Sequence, residues 1–183
     1  KNIGTNAIPV FADQGYGFAQ DEMIETGTAS QPAFIDCNND GLKDLLIGTF
    51  GPYDSTGNFV SGLVLYLNTG TNSAPAFSLY DEDFLNFSGN QALANVTFPA
   101  PCAGDLDNDG DDDLLVGRND GLILHFENTG LSGGIAQFTL RNTHFAGIDV
   151  GLNATPVLFD LDADNDLDLV VGNHRGFLSL WRN

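Results

Sequence analysis

Carboxylate side chains are concentrated in three nine-residue segments, which cover residues 36–44, 105–113 and 160–168. These segments hold 14 of the 25 acidic residues, and 21 of the 25 are aspartate rather than glutamate. An acidic surface that is only solvated would spread its charge and use both acids. Like charges at this density repel one another, so a folded chain needs a counter-charge to hold them together. The segments are therefore predicted to bind cations.

The oxygen-bearing residues have the same spacing in each segment. Positions 1, 3, 5 and 9 carry Asp or Asn, and a main-chain carbonyl at position 7 can complete a ring of oxygen ligands. Ca²⁺ takes six to eight oxygens, whereas Mg²⁺ usually keeps several waters and avoids cages made only of protein. We therefore predict about three Ca²⁺ ions, one per segment. The predicted ligands are Asp36, Asn38, Asp40, Leu42 and Asp44; Asp105, Asp107, Asp109, Asp111 and Asp113; and Asp160, Asp162, Asp164, Asp166 and Asp168.

The residues around these ligands favour one kind of calcium loop over others. Position 6 is Gly41, Gly110 or Asn165, and these residue types accept the positive φ of a sharp turn. An EF-hand needs Glu at position 12 and flanking helices, but position 12 is apolar in all three segments. No Cys/His cluster suggests zinc. A single segment could be an ordinary Asp-rich surface turn, but three copies in register argue against that alternative.

Short apolar stretches flank every acidic segment. A stretch containing Pro precedes each one, and Leu45–Gly48, Leu114–Gly117 or Leu169–Gly172 follows. These stretches are four to seven residues long and bounded by Gly and Asn, which is typical of strands. A further strand follows Asn68 and Asn128, so each unit has about four strands. The all-β chain is therefore predicted to be one propeller-type domain, residues 1–183, of three four-stranded antiparallel repeats, approximately 2–67, 68–127 and 128–183.

The pattern Asp-x-Asp-x-Asp-Gly-x-x-Asp-Leu-x-x-Gly, followed by Asn-x-Gly, resembles the FG-GAP/VCBS repeats and covers essentially the whole chain. The resemblance implies blades of a calcium-binding β-propeller, as in integrin α-subunit heads and bacterial secreted or surface proteins. Two residues depart from the pattern. Asn38 replaces an Asp and removes a charge from the first site, and Asn165 replaces the Gly of the third.

Three blades are too few for a closed ring, because propellers typically use four to eight. We therefore expect these repeats to be part of a larger propeller or assembly, with other blades of a parent chain or further copies of itself as partners. Lys1 is not a natural start, so the chain is interpreted as processed or as a fragment. The outer strand of a blade can also come from the neighbouring repeat, so blade and repeat boundaries need not coincide.

The composition and the lack of catalytic motifs argue against several classes of function. A net charge of −19 disfavours nucleic acid as a partner, because the phosphate backbone would be repelled. No apolar run approaches 18 residues, so no membrane insertion is expected. No nucleophile elbow, phosphate loop or paired-His motif is present. The prediction is a non-enzymatic protein, secreted or at the cell surface, acting in adhesion or as an extracellular scaffold, with an extracellular protein or glycan as a possible ligand.

Two alternatives stay open at this point. The chain could be the propeller part of a carbohydrate-active enzyme of the polysaccharide lyase type, or a self-assembling extracellular structural or filament protein.

The pairing of the two cysteines is also open. In an oxidising setting Cys37 and Cys102 could bridge adjacent repeats, and two separate thiols are equally compatible with the sequence.

Overall fold

The computed structural model describes residues 5, 7–10, 24, 26–53, 59–93 and 95–183. Within this part of the chain, the regular structure consists of strands and two short 3-10 turns, Phe84–Asn86 and Phe145–Gly147. The strands are β1 (Thr28–Ile35), β2 (Asp44–Tyr53), β3 (Phe59–Asn68), β4 (Phe77–Asp81), β5 (Ala100–Gly104), β6 (Asp113–Gly117), β7 (Ile123–Ser132), β8 (Ile135–Asn142), β9 (Thr155–Phe159), β10 (Asp168–Gly172) and β11 (Leu178–Trp181).

These strands form three antiparallel sheets in which each strand pairs with its neighbour in sequence. Sheet one is β1-β2-β3-β4, sheet two is β5-β6-β7-β8, and sheet three is β9-β10-β11. The prediction of an all-β fold made of antiparallel blades is confirmed. The fourth strand of each complete sheet comes from the next sequence repeat. β4 follows Asn68 and pairs with β3, and β8 follows Asn128 and pairs with β7. In the described chain, sheet three has three strands.

The hydrophobic core lies between the sheets. One cluster joins sheets one and two and includes Leu46, Leu63 and Leu114, and a second joins sheets two and three and includes Leu115 and Val171. Successive side chains of a strand point to opposite faces, so Leu114 and Leu115 enter different clusters. Sheet two is therefore covered on both faces, which explains why all five residues of β6 are buried apolar, Gly or Asp residues.

Two glycines allow neighbouring sheets to approach each other closely. A Cβ on Gly48 of β2 would lie 1.9 Å from the Pro99 carbonyl oxygen, just before β5. A Cβ on Gly117 of β6 would lie 2.0 Å from the Ala154 carbonyl oxygen, just before β9. Gly48 and Gly117 thus leave space for the backbone that enters the next sheet.

Replacing Gly117 of β6 should push sheets two and three apart. In Gly117→Ala the added methyl group meets backbone atoms that cannot move without shifting β9, so we expect a loss of about 1–3 kcal/mol of unfolding free energy. Gly62→Ala is the matched control, because its Cβ would meet nothing within 4 Å. Urea denaturation of both variants measures the difference. Equal stabilities for the two variants would contradict this role for Gly117.

Candidate metal centre

Each acidic segment is the loop between the first and second strands of a sheet. Position 1 follows the first strand directly, and position 9 is the first residue of the second strand. The three loops therefore occupy equivalent places in the three sheets. They connect β1 to β2, β5 to β6, and β9 to β10.

The loop backbone makes the sharp turn that the sequence predicts at position 6. The φ angles there are +82° at Gly41, +97° at Gly110 and +77° at Asn165. A second left-handed residue occurs at position 4, which the sequence analysis missed. That position is Asn39, Asn108 or Ala163, and Asn is the residue type besides Gly that most readily adopts this conformation.

Main-chain N–H groups orient the carboxylates at positions 1 and 5. The carboxylate at position 1 accepts a hydrogen bond from the N–H of position 6, at 2.9 Å in the first loop and 3.1 Å in the other two. The carboxylate at position 5 accepts one from the N–H of position 7, at 2.8, 3.0 and 3.1 Å. The same two bonds in all three loops show that each loop folds around its own acids.

The second and third loops bring three carboxylates together. Asp105, Asp107 and Asp109 form one group and Asp160, Asp162 and Asp164 the other, with one oxygen from each residue within 4.8 Å of the others. Ca²⁺ binds oxygens at about 2.3–2.6 Å, so two ligands of one ion lie no more than about 5 Å apart. Both groups therefore fit one hard cation.

The first loop differs because its third position is an amide. Asn38 donates a hydrogen bond from Nδ2 to Oδ2 of Asp40 at 2.9 Å, and its Oδ1 accepts one from the Asp40 N–H at 3.2 Å. Asp36 and Asp40 thus supply two carboxylates where the other loops supply three. We expect this loop to bind calcium most weakly, because each lost charge weakens attraction for a divalent ion.

The Asp at position 9 has a structural role that the sequence analysis did not predict. Asp44, Asp113 and Asp168 are buried. Asp44 accepts hydrogen bonds from the N–H of Cys37 at 2.9 Å and of Asn68 at 2.8 Å. Asp168 accepts equivalent bonds, from Leu161 at 3.0 Å and from Asn183 at 3.1 Å.

Asp113 follows the same scheme, with the Asn128 N–H at 2.8 Å. The residue thus ties the loop to the Asn in or just after the third strand of its sheet. A carboxylate oxygen has two lone pairs, so this role is compatible with metal ligation. Ligation by position 9, and by the position 7 carbonyls of Leu42, Asp111 and Asp166, stays a prediction.

The charge of the loops is only partly compensated by protein cations. Lys43 Nζ lies 2.8 Å from Asp112, and Arg182 Nη1 lies 3.1 Å from Asp162. The negative charge of Asp164 raises the pKa of Asp162, and burial raises the pKa values of Asp44 and Asp113. Keeping these carboxylates charged therefore lowers the stability of the folded protein, and a bound cation would remove this penalty.

These pKa shifts predict an inverted pH dependence in calcium-free protein. A raised Asp pKa means that the folded state binds protons more tightly than the unfolded state. The stability this provides is fully present below the unfolded pKa, about 3.9, and is lost as pH rises through the raised value. We expect the melting temperature of metal-stripped protein to fall as the pH is raised from about 4 towards neutrality, and saturating calcium to reverse the slope, because the ion binds the deprotonated form.

Melts of metal-stripped and calcium-loaded protein at matched ionic strength test this prediction. Asp113→Asn provides the control, since removing one of the shifted carboxyls should flatten the slope of the stripped protein. A metal-free melting temperature that rises with pH over this range would contradict the assignment.

The cysteines are free thiols. Cys37 packs in the cluster between sheets one and two, and burial raises its pKa to about 12. Cys102 packs against the other cluster, and its Sγ accepts a hydrogen bond from the Leu158 N–H at 3.1 Å. Of the two alternatives, the structure has separate thiols.

No helix in the described residues is long and apolar enough to span a membrane.

Comparison with known proteins finds sequence similarity over the acidic loops. A model of the FG-GAP-like repeat matches residues 36–116, which include the first two acidic loops. Integrin alpha-4 of Xenopus laevis is 26% identical over 147 residues, covering 75% of this chain and 13% of the relative. The chain thus spans about an eighth of the length of this curated relative. The third loop lies beyond the family match but repeats its hydrogen bonds. Residues 36–116 therefore belong to the FG-GAP-like repeat family, which confirms the resemblance inferred from the acidic loops.

Proposed function

We propose that this chain is a calcium-binding, non-enzymatic β-propeller segment of a secreted or cell-surface protein, acting in adhesion or as an extracellular scaffold. The observation that carries the proposal is the group of three converging carboxylates in each of two equivalent loops, with too few cations among the described residues to neutralise them. The family match and the similarity to an integrin alpha chain support it.

Calcium has a structural role in this proposal. The ion is held by side-chain oxygens at positions 1, 3 and 5, which belong to the connection between the first two strands. Position 9 begins the second strand, and Asp113 at this position accepts a hydrogen bond from Asn128 of the third strand, β7. Neutralising the charge of the loop therefore stabilises the arrangement of three strands within each blade.

The propeller blades supply the scaffold, and the ligand binds a surface that they hold in place. The acidity disfavours polyanions, so we propose an extracellular protein or a neutral or basic glycan as ligand. The extracellular setting also suits the metal, because modular extracellular calcium sites are tuned to the millimolar to submillimolar range.

Two measurements test the proposal. Calorimetric titration of metal-stripped protein should count three ions per chain, and Asp107→Ala should count two, since repeats interact mainly with their neighbours. Immobilised protein should also retain a component from a panel of extracellular matrix proteins and glycans in calcium and release it in chelator. Failure to bind any calcium would overturn the metal assignment. Equal retention with and without calcium would overturn the role of calcium in adhesion.

A further inference from the structure

The connection between sheets one and two carries an exposed aromatic residue, Phe98, just before β5. Its ring stacks on that of Phe50 in β2, with ring centroids 4.5 Å apart and an angle of 23° between the ring planes. Phe98 is nevertheless 40% exposed. One face of the Phe98 ring is thus supported by Phe50, and the residue keeps accessible surface on which a ligand can lie.

The backbone of Phe98 has a conformation that aromatic residues rarely adopt. Its φ angle is +54°, in the left-handed region that suits Gly and Asn. The equivalent residue before β9 is Asn153, with a φ of +52°. Each of the two precedes the residue whose carbonyl lies against a glycine of the neighbouring sheet, so the packing of the sheets imposes this φ. Residue 98 is therefore an aromatic where the backbone favours Asn, and such an outlier points to a role for the ring beyond the fold.

A cavity lies beside this aromatic pair, with a volume of about 180 Å³. Phe87 and Leu93, which are buried in the cluster between sheets one and two, form part of its apolar lining. Three residues with hydroxyl groups, Ser61, Ser88 and Thr97, also line it. The cavity thus combines apolar surface with a few polar groups, as small-molecule sites do.

Two contacts place the cavity next to the aromatic pair. Ser61 of β3 pairs directly with Phe50 of β2, so the two side chains lie on the same face of sheet one. Thr97 immediately precedes Phe98, and its N–H donates to Oδ1 of Asn119 at 3.0 Å, which fixes this part of the connection to sheet two. The rings and the cavity are therefore neighbours, at the end of sheet one that lies away from its acidic loop.

One hydroxyl group of the cavity is available to a ligand. Ser61 Oγ is buried and has no hydrogen-bond partner among the described residues. A buried polar atom costs free energy unless it is paired, so this oxygen favours a ligand that brings a polar group to it. Ser88 Oγ, by contrast, donates to Oδ2 of Asp83 at 2.6 Å.

The charge around the cavity favours a neutral ligand. The described residues that line it include no charged side chain. An anionic ligand would be repelled by the net charge of −19. A cation that leaves water needs a paired carboxylate, which the described lining does not supply. The ligand is therefore expected to be uncharged, with both apolar and hydrogen-bonding groups.

We propose that the cavity and the Phe98 ring bind one ring of a neutral sugar that belongs to an extracellular glycan. A sugar ring has C–H groups on one face, which suit the negative face of an aromatic ring, and hydroxyl groups at its edge. A Ser hydroxyl both donates and accepts, so Ser61 can pair with a sugar hydroxyl of either orientation. The cavity volume of about 180 Å³ is below the range of about 300–1,000 Å³ for drug-sized ligands, which suits a single ring rather than a longer oligosaccharide.

This inference rests on the proposed function, because it selects one of the ligand classes named there and the surface that binds it. The sugar site contains no predicted calcium ligand. Phe50 lies six residues along β2 from Asp44, which is roughly 20 Å in a strand. A protein that binds three calcium ions and retains an extracellular protein but no neutral sugar would keep the proposed function and overturn only this inference.

Saturation-transfer NMR of the calcium-loaded protein tests the class of ligand. The probes are the methyl glycosides of glucose, galactose, mannose and N-acetylglucosamine, with glucuronic acid, glucosamine and a proline-rich peptide as comparison ligands. When the aromatic protons of the protein are irradiated, we expect saturation to reach the C–H groups on one face of at least one neutral sugar. Binding of no neutral sugar, or only of a charged sugar or the peptide, would overturn the proposal.

Replacing Phe98 by the residue at the equivalent position separates ligand binding from packing. Phe98→Asn should weaken binding of that sugar about tenfold, as for an anchoring aromatic residue. Its melting temperature should stay equal or rise, because Asn fits the positive φ. Tyr80→Ala, an exposed aromatic on β4, is the matched control and should bind the sugar like the parent protein. Unchanged binding in Phe98→Asn would overturn the proposal.

Ser61→Ala tests the site without changing the aromatic pair. We expect sugar binding about fivefold weaker and no loss of thermal stability, since the buried hydroxyl has no partner among the described residues to lose. Ser78→Ala, at an exposed position of β4, should bind like the parent protein. Unchanged binding in Ser61→Ala, together with a lower melting temperature in Phe98→Asn, would assign the Phe98 ring to packing and overturn the proposal.

Discussion

Removal of calcium should lower the melting temperature of this protein by roughly 15–30 °C. A ligand that binds only the folded state adds about 2.7 kcal/mol per site at 100 times its dissociation constant, and the sequence predicts three sites. For a chain of this size each kcal/mol moves the melting temperature by about 2–4 °C. Part of this effect is relief of repulsion, because 14 of the acids lie in the three loops.

Circular dichroism melts in excess calcium and after chelation measure this shift, with metal content verified by elemental analysis. Magnesium at the same concentration is the matched control, since its smaller ion retains waters and fits these loops poorly. We expect magnesium to restore a minor part of the loss. An unchanged melt after verified ion removal would show that the acidic loops are not structural calcium sites.

Asp113→Ala should destabilise the protein even without calcium, whereas Asp107→Ala should not. Asp113 is buried and accepts main-chain hydrogen bonds, including that of Asn128. Its removal leaves buried N–H groups unpaired, at about 1–3 kcal/mol each, so we expect a loss of about 2–5 kcal/mol. Asp107 lies on the exposed side of the loop, where its carboxylate repels Asp105 and Asp109 when no ion is bound.

Urea denaturation in chelator and in calcium separates the two effects. In chelator Asp113→Ala should be clearly less stable than the parent, and Asp107→Ala equal to it or slightly more stable. In calcium both variants should be less stable than the parent, because each is predicted to lose one ligand of the same ion. Equal behaviour of the two variants in chelator would contradict the division between the metal-facing and the strand-bridging acids.

The sequence determined the features that depend on local spacing. Oxygen-bearing side chains at alternate positions and a residue that tolerates positive φ at position 6 make the turn at Gly41 and Gly110. The punctuated apolar stretches give strands, and the confirmed all-β fold follows from them. These features could be read from the chain because each depends on a few neighbouring residues whose conformational preferences do not require the rest of the protein.

The tertiary structure decided which acids lie in the exposed part of the loop and which are buried and hydrogen-bonded to the neighbouring strands. Asp107 and Asp113 are the same residue type in one repeat motif. Only the packing of β6 between its neighbours buries Asp113 and brings the Asn128 N–H, fifteen residues away, to its oxygen. Likewise, Leu63 and Leu178 occupy equivalent places in the repeat, and their burial differs because a following sheet covers the first and none in the described chain covers the second. Such differences depend on contacts between distant segments, which no local pattern encodes.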